Sequence, residues 1–225
     1  MKIQKTFDNK VDIYGQGLNK LVAKYVGFDK IILDVGCSQG RLGQYLKDSK
    51  RATVYGIDVS NRAIKLANKC LEVAYLLDIE TDDLPFPKKS FDVIICADIL
   101  EHLRSPVEAL IKLKAYLKDG GWFVLSIPNV ANLEVRWNLL WGNFDYQKSG
   151  IMDDSHLRFY TQKTVRKLLT DAKIKIVKID YSPGCSFFFL QGRVLKWKFM
   201  RNLHNWLTKI SPSLFCAQFI IVAKS

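Results

Sequence analysis

Runs of nearly continuous apolar residues alternate along this chain with segments whose apolar positions recur at helical spacing. The runs "KIILDV" (30–35), "ATVYGID" (52–58), "VAYLLD" (73–78), "FDVIICA" (91–97), "WFVLSI" (122–127), "IKIVKIDY" (174–181) and "AQFIIVA" (217–223) predict seven strands. The segments Gly40–Lys47, Asn61–Cys70, Pro106–Leu117 and Gln162–Ala172 predict helices between them. A strand that is apolar at every position is buried on both faces, as strands of a parallel sheet covered by crossover helices are. The pattern therefore predicts a doubly wound α/β architecture with a mostly parallel seven-stranded sheet. Helix starts agree with it: Ser60 is placed to cap the second helix, and Ser105 precedes Pro106 at a first helical position.

No linker-like or low-complexity run divides the 225 residues, which are 48% hydrophobic, so one domain (1–225) is expected. The start "MKIQKTFDNK" has no apolar export segment, and "CSFFFL" and "CAQFIIVA" fall short of the ~18 residues of a spanning helix. Five scattered cysteines (37, 70, 96, 185 and 216) without a Cys-x-x-Cys pair read as reduced residues, and the expected location is cytoplasmic. Charge is uneven. Residues 161–225 hold twelve Lys/Arg against two Asp, which places +10 of the net +12 there. Such a flank attracts phosphates or anionic headgroups, or simply keeps the protein in solution.

Candidate chemistry begins at "ILDVGCSQGRLGQYL", a strand, a glycine-bearing turn and a helix. Gly36 and Gly40 allow backbone conformations and close approaches that a side chain blocks. In a doubly wound sheet the ligand lies over the carboxyl ends of the strands, and Asp58, at the end of the second strand, is placed to accept a ribose diol. A dinucleotide turn needs Gly-x-Gly-x-x-Gly. Here the spacing is Gly36-Cys-Ser-Gln-Gly40, preceded by Asp34, which repels a pyrophosphate and suits a cationic nucleoside.

With "VYGIDVS", "LLDIETDDLPFPKKSFDVIICADILEHL" and "GGWFVLSIPN", the chain resembles class I S-adenosylmethionine-dependent methyltransferases over residues 28–130. Further on, "IPNVANLEVRWNLLWGNFDYQKSGIMDDSHLRFYT" is similar to bacterial methyltransferases associated with surface-polysaccharide biosynthesis. The resemblance implies a Rossmann-like methyltransferase fold with a helical cap insertion, and S-adenosyl-L-methionine as cofactor. It places Asp34, Gly36 and Gly40 at the methionine and ribose, Asp58 at the ribose hydroxyls, Val59, Asp78 and Ile79 at the adenine, and Ala97 at the methionine. Ser38 stands where the family most often has a glycine.

A sulfonium methyl is already activated, so the protein must align an acceptor, exclude water and, for a hydroxyl, remove a proton. His156 is the expected base and His102 the second candidate, histidine titrating near 6.5; each also reads as a structural hydrogen-bonding residue, and His204 as a surface residue. No metal is expected. A carboxylate-rich alternative, Asp98, Glu101 and His102 with His156 nearby, resembles the Glu-x-x-Glu-His of some metal-using methyltransferases.

The insertion 130–160 is expected to bind the acceptor through Arg136, Trp137, Trp141, Tyr146, Arg158 and Tyr160, aromatic rings to stack and guanidinium groups to take phosphates. A second insertion, 183–213, carries Val194, Trp197, Met200, Leu203 and Leu207 at helical spacing beside Arg193, Lys196, Lys198, Arg201 and Lys209. It reads as a peripheral membrane contact or as a helix packed on the sheet edge or on a second subunit of a homodimer. The favoured acceptor is a sugar or glycan, phosphate- or polyprenyl-linked, to be O-methylated. RNA or a quinone precursor is the enzymatic alternative, an NAD-dependent oxidoreductase a remoter one. Nucleic acid is the less expected partner, since an RNA acceptor would call for a separate binding module or an Asn-Pro-Pro-Tyr type motif; "ADIL" stands there instead, which argues against amino-group methylation of bases and leaves ribose or sugar hydroxyls open.

Overall fold

The computed structural model describes residues 2–14, 18–183 and 198–225. Cys185, Arg193, Val194, Lys196 and Trp197 lie outside them, as do the side chains of Lys198, Met200, Arg201 and His204. In chain order the elements are α1 (Lys2–Tyr14), α2 (Lys20–Lys24), β1 (Ile31–Val35), α3 (Arg41–Lys50), β2 (Thr53–Asp58), α4 (Asn61–Ala67), β3 (Val73–Leu76), β4 (Phe91–Ala97), α5 (Pro106–Lys114), β5 (Leu117–Pro128), α6 (Leu133–Leu140), α7 (Gln162–Asp171), β6 (Lys175–Pro183), α8 (Lys198–Ile210), α9 (Pro212–Phe215) and β7 (Cys216–Lys224). A short 3-10 turn, Leu100–His102, follows β4.

All seven expected strands form one sheet in the order β3-β2-β1-β4-β5-β7-β6. The first five pair in parallel, while β7 runs antiparallel to both β5 and β6. The continuous apolar runs are explained by the two layers that cover them. Leu33, Ile94, Cys96, Phe123 and Leu125 face a core completed by Leu110 and Leu113 of α5 and Leu168 and Leu169 of α7. Their neighbours Ile32, Val93, Ile95 and Val124 face the opposite core, with Val22 of α2, Leu46 of α3 and Ile64 of α4. Each such Leu, Ile or Phe contributes roughly 1.5–3 kcal/mol on full burial.

The N-caps are as expected at α4, where the Ser60 side chain accepts from the Ala63 amide; Pro106 opens α5. Elements beyond the expected four helices and α8, the helix expected in the second insertion, are α1, α2, α6 and α9. α8 packs against β6 and α9, which realises the sheet-edge reading of the second insertion, and it leaves Trp206 and Ile210 exposed. The described cysteines, 37, 70, 96 and 216, are free thiols. No helix of the described residues is long and apolar enough to cross a membrane.

Candidate functional site

The order of strands reverses between β1 and β4, and a cleft of about 800 Å³ opens at their carboxyl ends. Seven of the eight residues expected at the cofactor line it: Asp34, Gly36, Asp58, Val59, Asp78, Ile79 and Ala97. The turn after β1 explains its own sequence. Gly36 has φ +74° and its amide donates to the Ile57 carbonyl at 2.9 Å; an added Cβ would lie 3.1 Å from Ile99. Ser38 adopts the left-handed φ of +47° that a glycine would take there, and its amide donates to Asp58 at 2.9 Å. A second amide, from Ser60, reaches the other oxygen of that carboxylate at 2.8 Å. Asp58 is therefore fixed in orientation by two backbone donors.

Gly40 corrects the expectation. It does not line the cleft; its φ of +78° starts α3, and an added Cβ would meet Cys70 Sγ at 2.8 Å and Ala67 Cα at 3.1 Å. Its role is to let the turn lie directly on α4.

Burial pushes the carboxyl groups of Asp34, Asp58 and Asp98 up; Asp34 reaches about 7, with the charge of Asp58 adding to the effect. A cleft floor of buried acids favours a cationic guest, because a positive group offsets the lost hydration.

The other half of the cleft is built around the 3-10 turn. Leu157 and Arg158 donate their amides to the Glu101 carbonyl at 2.9 and 3.0 Å, which pulls the insertion onto this turn and sets His156 beside His102, ring centroids 4.8 Å apart. His156 Nδ1 lies 3.1 Å from the Ile151 carbonyl and must donate to it, so Nε2 carries the lone pair. His102 Nδ1 likewise faces the Ser155 carbonyl at 3.2 Å. Burial lowers both imidazoles, His102 to about 4 with a further contribution from His156, so both are neutral at pH 7. Glu101 is 1% exposed, neither carboxyl oxygen has a hydrogen-bond partner among the described residues, and burial pushes its carboxyl well above the usual range. One oxygen lies 3.9 Å from His156 Nε2.

Two further expectations are corrected. Asp98, in the left-handed region at φ +55°, accepts from Ser126 and Gln218 at 2.8 and 2.9 Å and is turned away from the histidines. Among the described residues, those that could hold a cation are Glu101, His102 and His156, whose ligand atoms all lie within 4.8 Å of one another. None of the six expected acceptor residues lines the cleft. Arg136, Trp137, Trp141 and Tyr146 stand exposed on α6 and the loop after it. Arg158 is spent on the carbonyls of Leu103 and Arg104, and Tyr160 is buried in the core. The insertion instead reaches the cleft through residues 149–151 and 153–157 other than Asp154.

The wall that sequence reasoning missed is α1, which presents Phe7, Val11 and Tyr14 to the cleft. Their spacing of four and three was the available signal. Phe7 meets His102 edge-on at 5.4 Å.

A family model described as a methyltransferase domain matches residues 13–179. The ubiquinone biosynthesis O-methyltransferase of Thiobacillus denitrificans is 35% identical over 105 residues, 44% of this chain and 45% of that protein. The tRNA U34 carboxymethyltransferase of Cellvibrio japonicus is 32% identical over 104 residues, 44% of this chain and 32% of that one. The chain thus spans less than half the length of these relatives. A SAM-dependent methyltransferase of Archaeoglobus fulgidus superposes with a TM-score of 0.63 at 19% identity, covering 99% of this chain and 94% of that one.

Proposed function

The chain belongs to the methyltransferase-domain family, whose cofactor is S-adenosylmethionine, and on that premise we propose that it O-methylates a hydroxyl on an aromatic ring, of the kind a quinone precursor carries. The carrying observation is the acceptor half of the cleft: rings of Phe7, Tyr14 and His156 packed about His102, with the buried Glu101 carboxyl beside His156. Rings make a slot for a planar acceptor. The relatives named for ubiquinone biosynthesis support the same class. A glycan acceptor has less support, because the residues expected to stack on a sugar stand off the cleft.

In this reading Asp58 takes the ribose hydroxyls and Asp34 faces the cationic end of the cofactor. The bound cofactor would supply an activated methyl group to the acceptor oxygen. The hydroxyl proton goes to His156 Nε2, whose lone pair is kept available by the Nδ1 bond to Ile151. Glu101, 3.9 Å away, faces the imidazolium that forms.

The test is His156→Ala, assayed with labelled methyl donor against panels of ortho-diphenols and of sugars. Turnover on a diphenol should fall ~10²–10⁴-fold while calorimetric affinity for S-adenosylmethionine stays within about twofold. Methylation of sugars alone would overturn the acceptor class. Glu101 also favours a second reading, since two partnerless buried oxygens beside two imidazoles make a cation site. A divalent ion there would orient adjacent hydroxyls and lower their pKa; loss of turnover on dialysis against a chelator, restored by Mg²⁺, would favour it.

A further inference from the structure

Helix α1 stands outside the two layers that cover the sheet, yet it touches both halves of the cleft. On the cofactor side, Gln39 of the glycine turn donates to the Val11 carbonyl at 2.8 Å, Ser60 donates to Asp8 and Arg62 pairs with Asp12 at 2.8 Å. On the acceptor side the link is buried. Lys10 is 6% exposed, pairs with Asp153, itself 1% exposed, and reaches Asp154 at 2.5 Å and Ser155 at 3.2 Å. Tyr14 donates to Asp153 at 3.0 Å and meets Ser155 Oγ at 2.9 Å. Ser155 in turn holds His102, its carbonyl 3.2 Å and its hydroxyl 3.3 Å from Nδ1. Burial works against the Lys10 charge, but Asp153 and Asp154 outweigh it and keep the ammonium protonated.

We propose that Lys10 is a positioning residue for the transfer. By pairing with Asp153 it closes α1 onto the 149–157 loop, retains the bound cofactor beneath the helix, and sets His102 and His156 through Ser155 and the rings of Phe7 and Tyr14. A residue 143 positions away in sequence thereby decides whether the acceptor half is assembled. The role of the two histidines rests on the preceding reading; the closure of α1 over the cofactor does not. Removing the Lys10 charge leaves the buried Asp153 carboxylate with hydrogen bonds from Tyr14 and Ser155 but no counter-ion, whereas removing the Asp153 charge leaves Lys10 paired with Asp154 alone, so the helix should lift most in the first case.

The experiment uses the full chain with Lys10→Met, Asp153→Asn, the reversed pair Lys10→Asp with Asp153→Lys, and Tyr14→Phe, which removes bonds to Asp153 and Ser155 without stranding a charge. The dissociation rate of S-adenosylmethionine is followed by stopped-flow displacement. Lys10→Met should release the cofactor roughly tenfold faster or more, Asp153→Asn less, because Asp154 still pairs with Lys10, Tyr14→Phe a few-fold faster, and the reversed pair should return towards wild type. Unchanged release in the folded protein, even with a lowered melting temperature, overturns the proposal and leaves a merely structural ion pair. Faster release with no effect of His156→Ala on turnover would sink the acceptor reading alone.

Discussion

Gly36 and Gly40 are four residues apart, both in the left-handed region, and do different work. At Gly36 a side chain would press on Ile99 inside the cleft; at Gly40 it would press on Cys70 and Ala67 behind it. Gly40→Ala should therefore destabilise the protein by about 1–3 kcal/mol, from strained φ and overpacking together. Thermal melting should show that loss, while calorimetric affinity for S-adenosylmethionine, measured well below the transition, should change little. Sequence alone showed two glycines and could not separate these roles, because the difference lies in what α4 places behind the turn. The same limit applied to the aromatic residues of the insertion. Composition identified Trp137, Trp141 and Tyr146 as ring surfaces, but which way the chain turns after α6 is decided by the amides of Leu157 and Arg158 on the Glu101 carbonyl. Asp58 was legible because a strand end in a parallel sheet has only one place to point.

At the level of elements, the strands could be read almost residue by residue, since burial on both faces writes itself as an unbroken apolar run. Where an element is half-buried the signal thins. α1 offers Phe7, Val11 and Tyr14 among lysines and aspartates, and the reasons for its placement, Lys10 with Asp153 and Ser60 with Asp8, are long-range pairs that no local pattern shows. α4 is the element where these levels meet: Ser60 caps it at 3.1 Å to the Ala63 amide and also bonds Asp8 of α1. Ser60→Ala should cost about 0.5–2 kcal/mol for the cap, and hydrogen exchange in α1 should quicken as well. Unchanged exchange there would mean that Asp8 is not a fastening point.

Across the whole molecule, the cleft floor couples proton binding to stability. Asp34 titrates near 7 in the folded protein and at the ordinary carboxyl value when unfolded. Between those values the folded state binds the proton more tightly, so stability falls as pH rises through that window. The Asp34 contribution is isolated by comparing melting temperatures of the wild type with Asp34→Asn. The wild type should lose stability relative to the variant from about pH 4 to 7. Added S-adenosylmethionine should narrow the gap above pH 7, since a cation offsets the buried charge, and its affinity for the wild type should rise over the same range. A difference between the two proteins that is flat in pH would show that Asp34 is not the titrating group.

Strand β7 is the last of the seven in chain order, yet it lies inside the sheet, between β5 and β6. During synthesis β6 emerges with no neighbour to pair with, and β5 presents an unpaired, water-excluding margin until residues 216–224 leave the ribosome. An unpaired strand edge of this kind is prone to association, so lowering chaperone supply during expression should lower the soluble yield, and an unchanged yield would show that the edge is not exposed.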